Sequence, residues 1–87
     1  MEDSEVRDNP DGIGVRVTNG GTFFMNVGAY VQSNNVGVEL TGNTAELVMT
    51  DAEIRNNIGA GVAVTNGNLF MNAGAHVRNN DVGVTSV

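Results

Sequence analysis

The chain has 87 residues and no cysteine, and its 10 Asp and Glu residues against 4 Lys and Arg give a net charge of −6. This length suits one small domain with a marginal core, and the absence of cysteine excludes disulfides and thiolate ligands. So few basic side chains cannot neutralise a phosphate backbone, and we expect no nucleic-acid partner. The polar, acidic start MEDSEV has no signal-peptide core, and no apolar run approaches the roughly 18 residues of a membrane span.

Three copies of one motif and a short stub account for most of the chain. The copies read GVRVTNGGTFFMNVGAYVQSNN, GVELTGNTAELVMTDAEIRNN and GVAVTNGNLFMNAGAHVRNN, and the stub reads GVTSV. The equivalent valines Val15, Val38, Val62 and Val84 recur with a nearly constant period of about 23 residues, which is typical of a solenoid. EVRDNPDGIGV near the start parallels EIRNNIGAGV, which places Val6 in the column of Ile54.

Each copy contains three short segments with the alternating pattern of half-buried strands. The first segment is 15–17, 38–40 and 62–64, the second is 23–25, 47–49 and 69–71, and the third is 29–31, 52–54 and 75–77. Corners rich in Asn, Gly and Thr, which favour tight turns, separate the segments. One copy is therefore expected to form one triangular coil.

We predict an all-β fold, a right-handed parallel β-helix (β-solenoid) of about three and a half coils, each with three short strands and roughly 22–24 residues. The coils are expected at about 5–30, 31–53, 54–76 and 77–87 of a single domain or fragment. A leucine-rich repeat would need an L-x-x-L-x-L pattern and a helix, and neither is found. The predicted core consists of Val15, Val17, Met25, Val31, Val38, Leu40, Met49, Ile54, Val62, Val64, Met71 and Val77.

Segments such as GGTFFMN resemble the right-handed parallel β-helix repeats of bacterial surface and secreted proteins, including autotransporter-like adhesins and pectate-lyase-like domains. The resemblance covers nearly the whole chain and implies an architecture much more than an activity. It implies an extracellular or cell-surface location and a structural or adhesive role. The alternative is a fragment of a carbohydrate-binding or polysaccharide-degrading β-helix protein.

Four asparagines, Asn9, Asn34, Asn57 and Asn80, follow the third segments and fall in one column. Asparagine tolerates left-handed backbone, and its amide both donates and accepts hydrogen bonds, so stacked copies can bond coil to coil. The column resembles the asparagine ladder of pectate-lyase-like β-helices. We expect a structural role for it.

Phe24, Val48 and Phe70 are the outward members of the second segments if the alternation holds. A contiguous exposed apolar strip usually marks an interface or a binding site. A contact covered by another chain segment or subunit, stacking on sugar rings, and a reversed phase of the strand are the three interpretations.

The outward residues of the third segments alternate in chemistry from coil to coil. They are Glu5, Tyr30, Glu53 and His76, with Arg7, Gln32, Arg55 and Arg78 beside them, and Arg16 lies beside Glu39 in the first segments. Such cross-strand pairs contribute roughly 0.2–1 kcal/mol each. Glu53, His76 and Arg55 come nearest to an acid–base cluster, but a solvated pair is the simpler interpretation.

No catalytic, metal or cofactor site is predicted, and we expect a protein that is not an enzyme. Asp51 and Glu53 are separated by a corner and by the alternation, while Asp8, Asp11 and Asp81 lie at corners where Asp is a common turn residue. The pairs Gly12/Gly14 and Gly59/Gly61 recur at the same corner, which indicates turn geometry.

The first strand expected along the chain contains Val6 and the last contains Val84, and no amphipathic helix covers either end coil. Open strand edges are templates for pairing with another chain. We therefore expect either a segment of a longer β-helix or a homo-oligomer that stacks through its open ends or its apolar face. Carbohydrate is a further candidate partner.

Overall fold

The computed structural model describes residues 1–86, and within them every regular element is a β-strand. All of the strand pairs are parallel, and the chain winds into a β-solenoid of about four turns, which confirms the predicted fold class. The strands are β1 (Glu5–Val17), β2 (Thr22–Met25), β3 (Tyr30–Thr41), β4 (Glu46–Met49), β5 (Glu53–Arg55), β6 (Ala60–Thr65), β7 (Asn68–Met71), β8 (His76–Arg78) and β9 (Val82–Ser86).

Two sheets form the walls of the solenoid. One contains the second segments in the order β2-β4-β7, and the other contains the third and first segments in the order β8-β5-β3-β6-β9, with β1 also paired to β3. The third and first segments share a sheet because β1 and β3 run through the corner between them. Backbone pairing continues at that corner, where the Ser33 amide donates to the Asn56 carbonyl at 3.1 Å. This corner is therefore a bend within one sheet.

Equivalent residues of successive coils stand in register, as the repeat predicts. Val31 pairs with Ile54, Val38 with Val62 and Met25 with Met49. The inward members of these columns and the alanines at the corners fill the interior. The buried apolar residues are Val17, Met25, Ala29, Val31, Val38, Leu40, Ala45, Leu47, Met49, Ala52, Ile54, Val62 and Val64.

The predicted core includes residues of the end coils that are not fully buried in the structure. Met71 is 45% exposed, so its assignment to the buried core is wrong, and Val15 and Val77 are only partly buried. These residues belong to the outermost strands of the structure, where no neighbouring coil covers them. The side chains follow the predicted columns, but only the central coils bury them completely.

Residues Met1–Ser4 also belong to the repeat. The Asn26 amide donates to the Met1 carbonyl at 2.8 Å, as the Thr50 amide donates to Met25 and the Asn72 amide to Met49, both also at 2.8 Å. Met1 is therefore a further member of the methionine column. The Cα positions extend 26 × 26 × 16 Å, so the body is wider than it is tall. Within residues 1–86 there is no helix with the length and hydropathy of a membrane span.

Candidate functional site

The four asparagines of the predicted ladder lie in one column and bond to one another. The Asn34 side-chain Nδ2 donates to Asn57 Oδ1 at 3.3 Å, and Asn57 Nδ2 donates to Asn80 Oδ1 at 2.9 Å. Asn9 Nδ2 donates to Asn34 Oδ1 at 2.8 Å. Each acceptor oxygen also accepts a hydrogen bond from a backbone amide of the preceding coil. For example, Asn34 N donates to Asn57 Oδ1 at 3.1 Å. The ladder therefore has a direction, with donors pointing towards the C-terminal coil.

The backbone at this corner differs in one respect from the expectation. The left-handed residue is the one before each ladder asparagine, and these residues are Asp8, Ser33, Asn56 and Asn79, with φ between 53° and 66°. The ladder asparagines lie in the extended chain that follows. The short polar side chains at the left-handed positions suit that conformation, whereas the asparagines are required for their amides.

A column of glycines packs against the ladder. A Cβ at Gly37 would lie 2.5 Å from the Gly61 carbonyl oxygen and 2.9 Å from Asn57 Nδ2. Gly14 and Gly61 meet the same obstruction from the next coil, at 2.7 and 2.5 Å, whereas Gly83 in the last coil meets nothing within 4 Å. The recurrence of Gly14 and Gly61 at one corner predicts turn geometry, but their φ is not left-handed, and close packing is the reason for glycine here. The recurrence of Gly-Val at each copy was the available signal.

The β2-β4-β7 sheet presents an apolar strip on its outer surface. Phe24, Val48 and Phe70 are adjacent in register, with Phe24 52% exposed, Phe70 47% exposed and Val48 half-buried between them. The inner neighbour Leu47 is fully buried, so the phase of the strand is not reversed. Coils about 4.8 Å apart place the two rings roughly 10 Å apart on one face. We call these three residues the apolar strip.

Polar side chains on the larger sheet, which contains β8-β5-β3-β6-β9, pair both within a strand and across coils. Glu53 Oε1 accepts from Arg55 Nη1 at 3.1 Å and lies 2.9 Å from Arg78 Nη2. The Arg55 guanidinium also lies 4.4 Å from the centroid of the Tyr30 ring and donates through Nε to Gln32 Oε1 at 3.0 Å. His76 stands beside Glu53 in register, but within residues 1–86 the two side chains share neither a hydrogen bond nor an ion pair. Glu53 is therefore held by two arginines.

The corner of the first coil is longer than its counterparts and leaves an open cleft of about 560 Å³, which is lined by Asp11, Gly12, Ile13, Arg16, Asn35 and Val36. Asn9 and Val15 are separated by more residues than Asn34 and Val38, and the pairing shifts between Asn9 and Ile13. Arg16 is paired with Glu39 at 2.8 Å. Among residues 1–86, no group of three or more His, Asp or Glu side chains is arranged to hold a metal ion.

Comparison with protein-family models, with curated proteins and with solved structures finds no match to this chain. The exposed apolar side chains among the described residues include Phe24 and Phe70 of the apolar strip and, in the last coil, Met71 and Val84. The ladder and the paired charges connect one coil to the next.

Proposed function

We propose that this chain is a non-catalytic β-solenoid scaffold, a structural or adhesive segment of an exported bacterial protein located outside the cell or at its surface. It associates with copies of itself, or with the rest of a longer β-helix, through the apolar strip or the open faces of its end coils. The observation that carries the proposal is the strip, where Phe24 and Phe70 are half exposed on one face of a parallel sheet.

Burial of the strip is the driving force for association. Two half-exposed phenylalanines and a valine expose apolar surface in one patch, and removing such surface from water gives about 25 cal/mol per Å². A parallel sheet with residues in register offers a regular surface that a second protein surface can cover. The strip is thus suited to contact with another protein surface, a second copy of the chain among them.

The paired charges support a structural role. Arg16 with Glu39, and Glu53 with Arg78, connect neighbouring coils to each other, while Arg55 pairs with Glu53 in its own strand and donates to Gln32 of the preceding coil. These groups use their hydrogen bonds within the solenoid, so they reinforce the stack. The resemblance to β-helix repeats of bacterial surface proteins supports the exported location.

A pair of double variants tests the role of the strip. Phe24→Ser with Phe70→Ser removes the two rings, and Val27→Ser with Ile58→Ser removes two residues that are 54% and 59% exposed elsewhere. Light scattering coupled to size exclusion at high micromolar concentration should show association of the parent and of the Val27/Ile58 variant. If the Phe24/Phe70 variant associates as the parent does, the open faces of the end coils, and not the strip, are the contact.

Carbohydrate binding is a second candidate, favoured by the same two rings. Aromatic side chains stack on the apolar faces of sugar rings, and a separation of roughly 10 Å fits two positions along one glycan. A glycan-array screen of the parent and of the Phe24/Phe70 variant tests this, with chromatography of the incubated glycans for cleavage products. Binding lost in the variant supports the candidate, whereas cleavage products would contradict the non-catalytic proposal.

A further inference from the structure

The four coils are of two kinds that alternate along the solenoid. The register places MEDSEVR at 1–7 over the same columns as MTDAEIR at 49–55, and MNVGAYVQSNNVGVEL at 25–40 over those of MNAGAHVRNNDVGVTS at 71–86. The corner before the third segment marks the difference. Its left-handed residue is Asp3 or Asp51 in one kind and Gly28 or Gly74 in the other. We call these Asp-type and Gly-type coils.

The alternation has a steric basis. The Asp3 carboxylate occupies the space where a Cβ on Gly28 would lie, and the Asp51 carboxylate does the same at Gly74. An Asp-type coil therefore accepts a Gly-type coil on its C-terminal side. The reverse junction, with an Asp-type coil on the C-terminal side of a Gly-type coil, occurs once in the structure, where the coil of Met25 meets the coil of Met49.

The two outer faces of the solenoid match the reverse junction. The coil at the N-terminal face is Asp-type and contains Asp3, while the coil at the C-terminal face is Gly-type and contains Gly74. Placing the N-terminal face of a second copy on the C-terminal face of the first reproduces the junction between the coils of Met25 and Met49. Val77 and Val84 would then meet Val6 and Val15 of the second copy, as Val31 and Val38 meet Ile54 and Val62.

The asparagine ladder is complementary at the same two faces. Among the described residues, Asn80 N has no acceptor and Asn9 Oδ1 has no donor, whereas Asn34 N and Nδ2 both donate to Asn57 Oδ1 at 3.1 and 3.3 Å. Joining the faces brings the free donor of one copy to the free acceptor of the other. The ladder would continue through the junction in its single direction.

Gly83 provides the matching space. Gly37, its equivalent at the internal junction, is crowded by Gly61 and Asn57 of the next coil, but Gly83 meets nothing within 4 Å. The space beside Gly83 can therefore hold the asparagine side chain and the glycine carbonyl of a coil that packs on this face.

We propose that copies of this chain stack head to tail, with the coil of Val84 seated on the coil of Val15 of a second copy and the ladder continued from Asn80 to its Asn9. The inference deepens the self-association part of the proposed function and rests on it. A head-to-tail contact uses two different surfaces, so each added copy leaves one of each free and the stacks stay open-ended. Because every copy carries a charge of −6, association should strengthen as salt screens the repulsion.

The apolar strip lies outside this contact. In the stack, neither copy supplies the residues equivalent to 42–48, so the edge of β7 stays open and Phe70 remains exposed. The Phe24→Ser, Phe70→Ser variant is therefore the background in which stacking is measured without any contribution from the strip.

The first test is Gly83→Val in that background, with Thr85→Val as the matched control. A Cβ at 83 meets no atom of the described residues within 4 Å, but Val there would collide with the next coil. Thr85 lies in the same strand and pairs with outward Ala63, so its side chain points away from the interior of the junction. Sedimentation velocity should show association weakened about tenfold or more by Gly83→Val and unchanged by Thr85→Val. Equal melting temperatures show that the isolated fold is intact. Unchanged association of the Gly83→Val chain overturns the stack.

The second test establishes polarity. Val15→Lys puts a charge on the partly exposed N-terminal face, where its long stem can keep the ammonium in water. A chain blocked at Gly83 and a chain blocked at Val15 should each be monomeric alone and form a one-to-one dimer when mixed. If Val15→Lys fails to fold, a folded domain fused directly to Met1 blocks the same face.

The outcomes separate the inference from the proposed function. If the Phe24/Phe70 background is monomeric while the parent associates, the strip is the contact and head-to-tail stacking is wrong. If a chain blocked at one face still dimerises alone, the contact is symmetric and stacking is likewise wrong. If the background associates, loses association on Gly83→Val and recovers it on mixing, stacking holds and the strip is dispensable for self-association.

Discussion

Met49 and Met71 are adjacent members of one column, yet Met49 is fully buried whereas Met71 is 45% exposed. The same contrast separates Val62, which is fully buried, from Val84, which is 45% exposed, and crowded Gly37 from unobstructed Gly83. The central coils and the last coil share a sequence pattern but not an environment. In this solenoid, a residue is buried because coils lie on both sides of it, so the cost of a substitution should depend on its coil as much as on its residue type.

The largest expected difference is at the methionine column. Met49→Ala opens a cavity in the covered interior and should lower the free energy of unfolding by about 2–5 kcal/mol, whereas Met71→Ala should stay within about 0.5 kcal/mol of the parent. Urea unfolding at a concentration where the chain is monomeric measures both. Equal losses at the two positions would mean that coverage by neighbouring coils does not determine stability.

The asparagine ladder shows the same difference between a central coil and an end coil. Asn57→Leu removes the oxygen that accepts from Asn34 N and Nδ2, and each buried donor left without a partner costs about 1–3 kcal/mol. Asn9→Leu removes a side chain whose oxygen accepts no described hydrogen bond, so it should cost less. Thermal melts followed by circular dichroism compare the two, and a fully stable Asn57→Leu protein would remove the ladder as a source of stability.

The next largest loss of stability is expected in the column of glycines that packs against the ladder, Gly14, Gly37, Gly61 and Gly83. Gly37→Ala forces a Cβ to within 2.5 Å of the Gly61 carbonyl oxygen, and overpacking of this kind costs about 1–3 kcal/mol. Gly83→Ala meets open space and should be neutral in the monomer. A melting temperature lowered equally by both changes would show that backbone freedom, and not contact with the next coil, is what requires glycine.

The smallest effect is expected at the charged pairs. Glu53→Gln weakens two ion pairs, one with Arg55 in the same strand and one with Arg78, which connects the last coil to the one before it. The change should lower the free energy of unfolding by about 0.2–1 kcal/mol. Glu46→Gln is the control, because Glu46 accepts only from the Thr22 hydroxyl at 3.2 Å among the described side chains. The loss in melting temperature caused by Glu53→Gln should depend more on salt concentration than the loss caused by Glu46→Gln. A loss well beyond that range, insensitive to salt, would indicate a packing role for Glu53.

The periodicity of the sequence was sufficient to predict the coil, the columns and their register. Alternation identified the inward residues, and the spacing of Asn34, Asn57 and Asn80 placed them in one column. Burial at the ends was beyond this reasoning, because Met71 has the sequence signature of Met49 and differs only in its neighbours. The alternation in the sequence predicts which way a side chain points. Whether that side chain is buried depends on the coils that lie on either side of it.

The two kinds of coil were missed for a different reason. Aligning copies by their valines emphasises what the coils share, while the distinction between Asp51 and Gly74 lies at a corner with positive φ. Its significance appears only when the Asp51 carboxylate is seen to fill the space beside Gly74. The role of Gly37 likewise depends on a contact with a coil more than twenty residues away along the chain.

Because each coil pairs only with the coils before and after it, force applied between the two ends of the chain should remove coils one at a time. The strand pairs at the end coils would be peeled open in sequence and not sheared together. Releasing one coil of about 23 residues adds about 80 Å of extended chain, at roughly 3.3–3.6 Å per residue. In an optical trap, the molecule would lengthen in a short series of nearly equal steps, each of which corresponds to the release of one coil.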